Sequence, residues 1–310
     1  MSKSTNTMHI RALVMTWLAV AAMAVAAQDT AAVAGATAHL VTLSQSTDAT
    51  AHPVTLSQNT ATARDVTLSQ STDATARDAA LSLFTVEGGY ASVHDSYLSQ
   101  VTYDGWNLAM GYETLRHAAR PWLWQLAAGV DYSHVENPAR NNTLHKVMGD
   151  ITFAMQRRWR GVMARRLDLS AGPMAQLRAG VVYNPAASNN TVTARAYGGV
   201  GLAAMAALDT RVWRLPVTLR YQAQLPALGV FFAPDYGESY YEIYLGNRHG
   251  LAHVGWWGNR LDLNHYLGAD LHLGRTVLRV GYRGRLERWR VAGIHVHDVT
   301  HSLVLAIGTR

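Results

Sequence analysis

Ten stretches of this chain change polarity with every residue, and no other feature limits the fold as strongly. Leu261, Leu263, His265, Leu267, Ala269, Leu271 and Leu273 alternate with Arg260, Asp262, Asn264, Tyr266, Gly268, Asp270 and His272. Trp213, Leu215, Val217, Leu219, Tyr221 and Ala223 alternate with Arg214, Pro216, Thr218, Arg220, Gln222 and Gln224, and Leu278, Val280 and Tyr282 with Arg279, Gly281, Arg283 and Arg285. The same pattern, in places weaker, marks 83–95, 101–114, 121–134, 143–158, 167–182, 191–206 and 299–309. A helix repeats at 3.6 residues, whereas a strand with two unlike faces repeats at two. Most of these segments are also far longer than the five or six residues usual in soluble sheets.

Long alternating strands with one apolar face fit an all-β, transmembrane antiparallel barrel. Composition agrees. Only 15% of the 310 residues are charged, and the rings are mostly amphipathic, with 14 Tyr and 9 Trp against 4 Phe. Backbone groups at an open sheet edge find no water in lipid, so the sheet must close on itself. Ten strands are expected over 79–310, or twelve if Tyr240–Gly246 and Leu251–Trp257 add two more. An even count puts both termini in the periplasm. Short turns are then expected near Arg116–Arg120, Trp159–Arg165, Asp209–Arg211 and Gly274-Arg275. The opposite side carries Glu136–Asn142, Asn184–Asn190 and the long stretch Pro226–Asn259. Trp122, Trp124, Trp159 and Trp213 fall at strand ends on the apolar phase, where an interfacial girdle belongs.

Two segments precede the barrel. Residues 1–27 read as a secretory signal peptide: Lys3 and Arg11, the apolar run Ala12–Ala24, then small residues before Gln28. Residues 28–78 repeat Val-Thr-Leu-Ser-Gln at Val41, Val54 and Val66. Being rich in Ser, Thr, Asp and Ala and free of aromatic residues, they are expected to be a disordered tether. The chain has no Cys, which excludes disulfides, thiolate metal sites and a Cys nucleophile. The net charge is +6, yet no run of Lys or Arg marks a nucleic-acid interface. The expected partners are outer-membrane lipid or lipopolysaccharide, and other outer-membrane proteins.

The polar phase of the strands carries Glu87, Glu113, Asp131 and Asp150 from the first four, and Arg178, Arg195, Arg220, Arg279, Arg283 and Arg285 mostly from later ones. A barrel this narrow holds little beyond side chains. An acidic wall facing a basic wall across the lumen would fill it with ion pairs. A charged conduit is the alternative.

The run Tyr97-Leu98-Ser99 followed by Tyr103-Asp104-Gly105 resembles the first hairpin of an uncharacterised outer-membrane barrel family typical of Bacteroidota. Ser239-Tyr240-Tyr241-Glu242 and the closing alternation to Arg310 fit the same pattern, over about residues 84–310. The resemblance implies a location and a barrel architecture and brings no activity with it. The chain ends Gly308-Thr309-Arg310, without the terminal Phe common in bacterial barrels.

Three constellations are candidates for a site. His94 and Ser96 share a strand phase with Asp104 near in a hairpin, which would suit a lipid-directed hydrolase whose His activates Ser. The plainer reading is three polar rim residues. His295, His297 and His301 alternate on one strand, but no carboxylate at ligand spacing completes a metal site. Phe231, Phe232, Tyr236, Tyr240, Tyr241, Trp256 and Trp257, with Glu238 and Glu242, crowd the long stretch. They are expected to form a plug or a docking loop, with the two glutamates folding in toward Arg279, Arg283 or Arg285. No cofactor motif is present. The expected function is that of a non-enzymatic barrel, structural or accessory to an outer-membrane assembly, with a narrow pore or a His94/Ser96 hydrolase as alternatives.

Overall fold

The computed structural model describes residues 80–117, 121–162, 167–187, 191–235, 240–246 and 250–310. The expected signal peptide and repeat tether lie outside the described residues. From Leu81 onward the chain forms one antiparallel sheet closed on itself. Strands β1 (Leu81–Asp95), β2 (Tyr103–His117), β3 (Trp122–Glu136), β4 (Thr143–Val162), β5 (Leu167–Tyr183), β6 (Val192–Val212) and β7 (Leu215–Phe232) pair in chain order. β9 (Arg260–Leu273), β10 (Thr276–Val291) and β11 (Ile294–Thr309) continue the wall from β7, and β11 closes it against β1 from Ser82↔Thr309 to Asp95↔Val296. These are the ten strands of the barrel.

The alternation works as written. Outward residues are exposed and apolar, such as Phe84, Met110, Val130, Ile151, Leu177, Leu202 and Leu267. Their inward neighbours are buried and mostly polar. The barrel is thus turned inside out relative to a soluble protein, as lipid requires.

The remaining strand, β8 (Ala252–Trp256), is not an eleventh stave. It pairs with the far end of β7 (Leu228↔Trp256 to Phe232↔Ala252), while β9 pairs with the near part of β7 from Val217↔Leu271 to Gln224↔Asn264. β8 is therefore the outward continuation of β9 after a break at 257–259. The other segment proposed as an extra strand contains a short helix, α1 (Tyr240–Tyr244).

Opposite that break, β7 carries an irregularity of its own. Val200 pairs with Leu228 and Gly201 with Pro226, so Ala227 is left over as a bulge. Pro226 has no N–H to give to a ladder, and bulges are where a sheet accepts proline. The extra residue reverses the phase. Before it Leu219 and Tyr221 face out; after it Leu228 and Val230 do, and Phe231 turns inward.

Several strands outrun their sequence limits. β4 continues through Trp159 to Val162, and β6 passes the expected Asp209–Arg211 turn and reverses instead at Trp213-Arg214. Trp213 has φ 54° and is 97% exposed at that tip. β10 and β11 run on to a two-residue turn, Ala292-Gly293, with φ 51° and 76°. Both values positive is the turn that matches strand twist in tight hairpins.

Candidate functional site

The lumen is the candidate site, and it is filled in tiers. Toward the end where Ala80 and Arg310 lie (the proximal end), Arg279 bonds Asp270 at 2.6 Å and reaches across to Glu113, while Arg220 holds Asp270 at 3.0 Å. Gln125 donates to Glu113 at 2.6 Å. The next tier joins Arg283 to Glu87 at 2.9 Å and Arg285 to both Asp131 (3.2 Å) and Asp150 (3.1 Å). Above it Arg178 meets Asp131 at 3.0 Å, and Arg260 meets Glu287 at 3.1 Å. Near the distal end Arg195 bridges Asp95 (2.8 Å) and Asp298 (2.6 Å), and Lys146 reaches Asp298 at 3.2 Å. Charges this deep are stable only because each is paired, since an isolated buried ion costs several kcal/mol or more.

Two tyrosines brace these tiers. Tyr266 lies against Gly268 and Gly281, where any Cβ would collide with its ring, and Arg279 and Arg283 stand 5.4 and 5.7 Å from the ring centre. Tyr197 lies likewise against Gly199 and Gly229, with the Arg260 guanidinium 4.1 Å from its centre. Each cation thus rests on an aromatic ring as well as on a carboxylate.

Apolar clusters occupy both ends of the lumen. Leu81, Leu83, Leu115, Leu123, Met205, Val277 and Ala306 form the proximal one. At the distal end Ala91, Val93, Tyr103, Val135, Leu144 and Val182 form one half, and Tyr197, Phe231, Ala233, Trp289, Ile294 and Val296 the other. Inside, a cavity of about 40 Å³ beside Glu87, Asp150, Arg283 and Arg285 and one of about 10 Å³ beside Arg178 and Glu287 remain. A further space of about 80 Å³ opens at the proximal mouth beside Arg158, Asp168, Asp209 and Arg310 and reaches past Leu81, Leu115, Leu123 and Met205 to Arg220.

The two-wall picture needs correction. Glu87, Glu113, Asp131, Asp150, Arg178, Arg195, Arg220, Arg279, Arg283 and Arg285 all line the lumen, but they belong to a larger, mixed set. Asp262, Asp270, Glu287 and Asp298 come from the last three strands and Lys146 from β4, so acids and bases interleave around the wall. Asp262 and Asp270 stood in the alternating pattern. Glu287 and Asp298 fall just beyond the segments assigned there.

The aromatic stretch divides rather than plugging the lumen as a unit. Phe231 is buried in the distal cluster, 5.3 Å from Trp289. Phe232 and Tyr97 flank Tyr240, whose hydroxyl accepts a 2.6 Å bond from the Ala194 amide. Burial raises the pKa of that phenol above its ordinary value. Trp256 and Trp257 face outward and are more than half exposed; Trp257 donates to the Pro226 carbonyl at 2.8 Å. Glu242 is exposed on α1, Tyr241 is its neighbour there, and Tyr236 and Glu238 lie outside the described residues. Arg279, Arg283 and Arg285 are taken by the strand carboxylates named above instead of by Glu242.

His94, Ser96 and Asp104 are not brought together. Ser96 is buried past the end of β1, where its Oγ accepts the His295 amide at 2.8 Å and its own amide donates to the His295 carbonyl. Asp104 accepts the Tyr90 hydroxyl at 2.6 Å, and His94 sits opposite His297 on the outer face. His295, His297 and His301 all point outward from β11. His301 stacks between Tyr90 and Tyr282 and bonds the Tyr282 hydroxyl. Among the described residues no three metal-binding side chains converge.

A closed ten-stranded barrel with an apolar exterior and an ion-paired interior is the architecture of a transmembrane β-barrel protein. The family model described as protein of unknown function (DUF3316) matches residues 43–309, and the chain belongs to that family. Comparison with curated proteins found no match. Among solved structures the chain is similar to the outer membrane protease OmpT from Escherichia coli, at 6% identity and TM-score 0.41, over 74% of this chain and 96% of that one. It is also similar to the transport unit of the autotransporter AIDA-I from Escherichia coli, at 10% identity and TM-score 0.33, over 74% and 90%. A third similarity is to Neisserial surface protein A, at 10% identity and TM-score 0.30, over 74% and 98%.

Proposed function

We propose that the protein is a non-enzymatic outer-membrane barrel, structural or accessory to an assembly in that membrane, with both termini in the periplasm and its lumen closed to solutes. One observation carries this reading: matched charges fill the lumen between an apolar cluster at either end. A conduit needs connected, wetted space. The spaces described above, of about 80, 40 and 10 Å³, are distinct from one another, and each holds at most a few waters. A hydrolase needs a nucleophile, a base and room for substrate, and Ser96 is turned onto the backbone of His295.

The test is reconstitution of the full chain. In a planar bilayer it is expected to show no discrete conductance, and with phospholipid or lipid A no turnover. Stable unitary currents, or lipid hydrolysis abolished by Ser96→Ala, would overturn the reading. Recovery from cells in the soluble periplasmic fraction would overturn the location.

A further inference from the structure

Every arginine in the charge tiers of the lumen meets a carboxylate, but two arginines on the outer face of β10 do not. Arg288 and Arg290 are exposed on the lipid-directed phase and make no side-chain ion pair or hydrogen bond among the described residues. Register sets Arg288 opposite His297 and Arg290 opposite His295 on β11, and sets His297 opposite His94 on β1. The five side chains border an open recess of about 330 Å³ near the Ala292-Gly293 tip.

The acids of the same strands give this patch no compensation. Glu287, Asp298 and Asp95 lie on the opposite phase and are consumed inside the barrel. On the adjoining strand β2 the outward carboxylate, Asp104, is held by Tyr90. Beside and below the patch the outer face turns apolar: Leu261 is the register partner of Arg288, and one step further down Leu286 pairs with Leu263 and Val299. The surface therefore reads, from the tip downward, as cationic donors and then hydrocarbon.

We propose that this face seats one phosphate-bearing lipid of the outer leaflet, of the lipid A class. Its phosphate would lie between Arg288 and Arg290, with His94, His295 and His297 as further ring donors. Its acyl chains would run down over Leu261, Leu286 and Val299. Guanidinium groups suit phosphate because their N–H donors match its oxygens in pairs. A phosphorylated lipid is favoured over free phosphate because the apolar row continues the site where an inorganic ion has nothing to contact.

The inference rests on the outer-membrane reading above and fails separately from it. Full-length protein in detergent is titrated with bis-phosphorylated lipid A and followed by native mass spectrometry. Parallel titrations use the same lipid after enzymatic dephosphorylation, and inorganic phosphate. Wild type is expected to hold the phosphorylated lipid at least about tenfold more tightly than the dephosphorylated one, since a hydrogen bond to a charged group is worth that much or more. Arg288→Gln with Arg290→Gln is expected to erase the difference, and Arg157→Gln, at the proximal end, to leave it intact.

Equal retention of the two lipids by wild type would overturn the proposal, as would a folded double variant that binds like wild type. Displacement of the lipid by inorganic phosphate at equal concentration would overturn the choice of a lipid. If the double variant does not fold, the comparison of the two lipids on wild type decides alone. A protein that fractionates with outer membranes but shows no phosphate dependence loses only this inference.

Discussion

Arg279 on β10 crosses the lumen to Glu113 on β2, although the two strands are separated in the wall by β11 and β1. The same guanidinium also bonds Asp270 on β9, the strand on its other side. One side chain thus ties three strands together and spans the seam where the barrel closes.

Arg279→Met should be among the most damaging single changes. It leaves Glu113 and Asp270 buried, with Arg220 remaining as a partner of Asp270. Breaking a buried pair from one side costs about 3–5 kcal/mol. The heat-modifiable gel shift is expected to move to lower temperature and the urea midpoint to fall. The double change Arg279→Met with Glu113→Gln should recover much of the loss, because Asp270 keeps Arg220 as its partner and no charge is then stranded.

Opening the lumen should take more than one substitution. Phe231→Ala with Trp289→Ala removes much of one distal cluster but leaves the ion-pair tiers in place, so conductance is expected to stay at baseline. Adding Arg283→Ala and Arg285→Ala, which also widens the space beside Glu87 and Asp150, is expected to give measurable cation current. Bilayer recordings of the two variants check the order of these effects.

Ser96→Ala should act on stability and not on chemistry. The lost bond from the His295 amide is worth about 1 kcal/mol. Denaturant titration is expected to show a loss of that size, while lipid turnover stays absent in variant and wild type alike.

Trp213 places a bulky side chain in the left-handed region, where Asn is better tolerated. Trp213→Asn is expected to leave the folded barrel at least as stable in micelles. In vesicles it should fold more slowly if the ring anchors the hairpin at the interface. Paired measurements in the two media separate strain from anchoring.

Strand identity and phase are legible in the sequence because burial in a barrel wall is decided residue by residue. Leu261 to Leu273 and Trp213 to Ala223 state the period without interruption. The interior is legible only in part. Glu287 and Asp298 lie in the outer ends of β10 and β11, and finding them requires reading Ala292-Gly293 as a tight turn rather than as part of a loop. Phe231 escapes for another reason: Ala227 reverses the phase, and nothing in an alternating pattern shows where one residue will be left over. Pro226 is a partial signal, since a strand proline is at home in a bulge, but Pro173 lies within β5 with no register shift beside it. The outward Arg288 and Arg290 escape because the alternation that exposes them lies beyond the segment assigned to β10.

The paired irregularities at Ala227 and 257–259 also determine how the wall can be labelled. The chain contains no cysteine, so any one introduced is unique. A spin label walked along β7 would report lipid contact at 219 and 221, skip a beat, and then report it at 228 and 230. Along the continuation from β8 into β9 the sequence would be 254 and 256, then 261 and 263. Two neighbouring strands that change step at one level keep their neighbours correctly faced on both sides of it. The wall therefore contains a dislocation that is cancelled locally, and a deletion in one strand alone would leave it uncancelled.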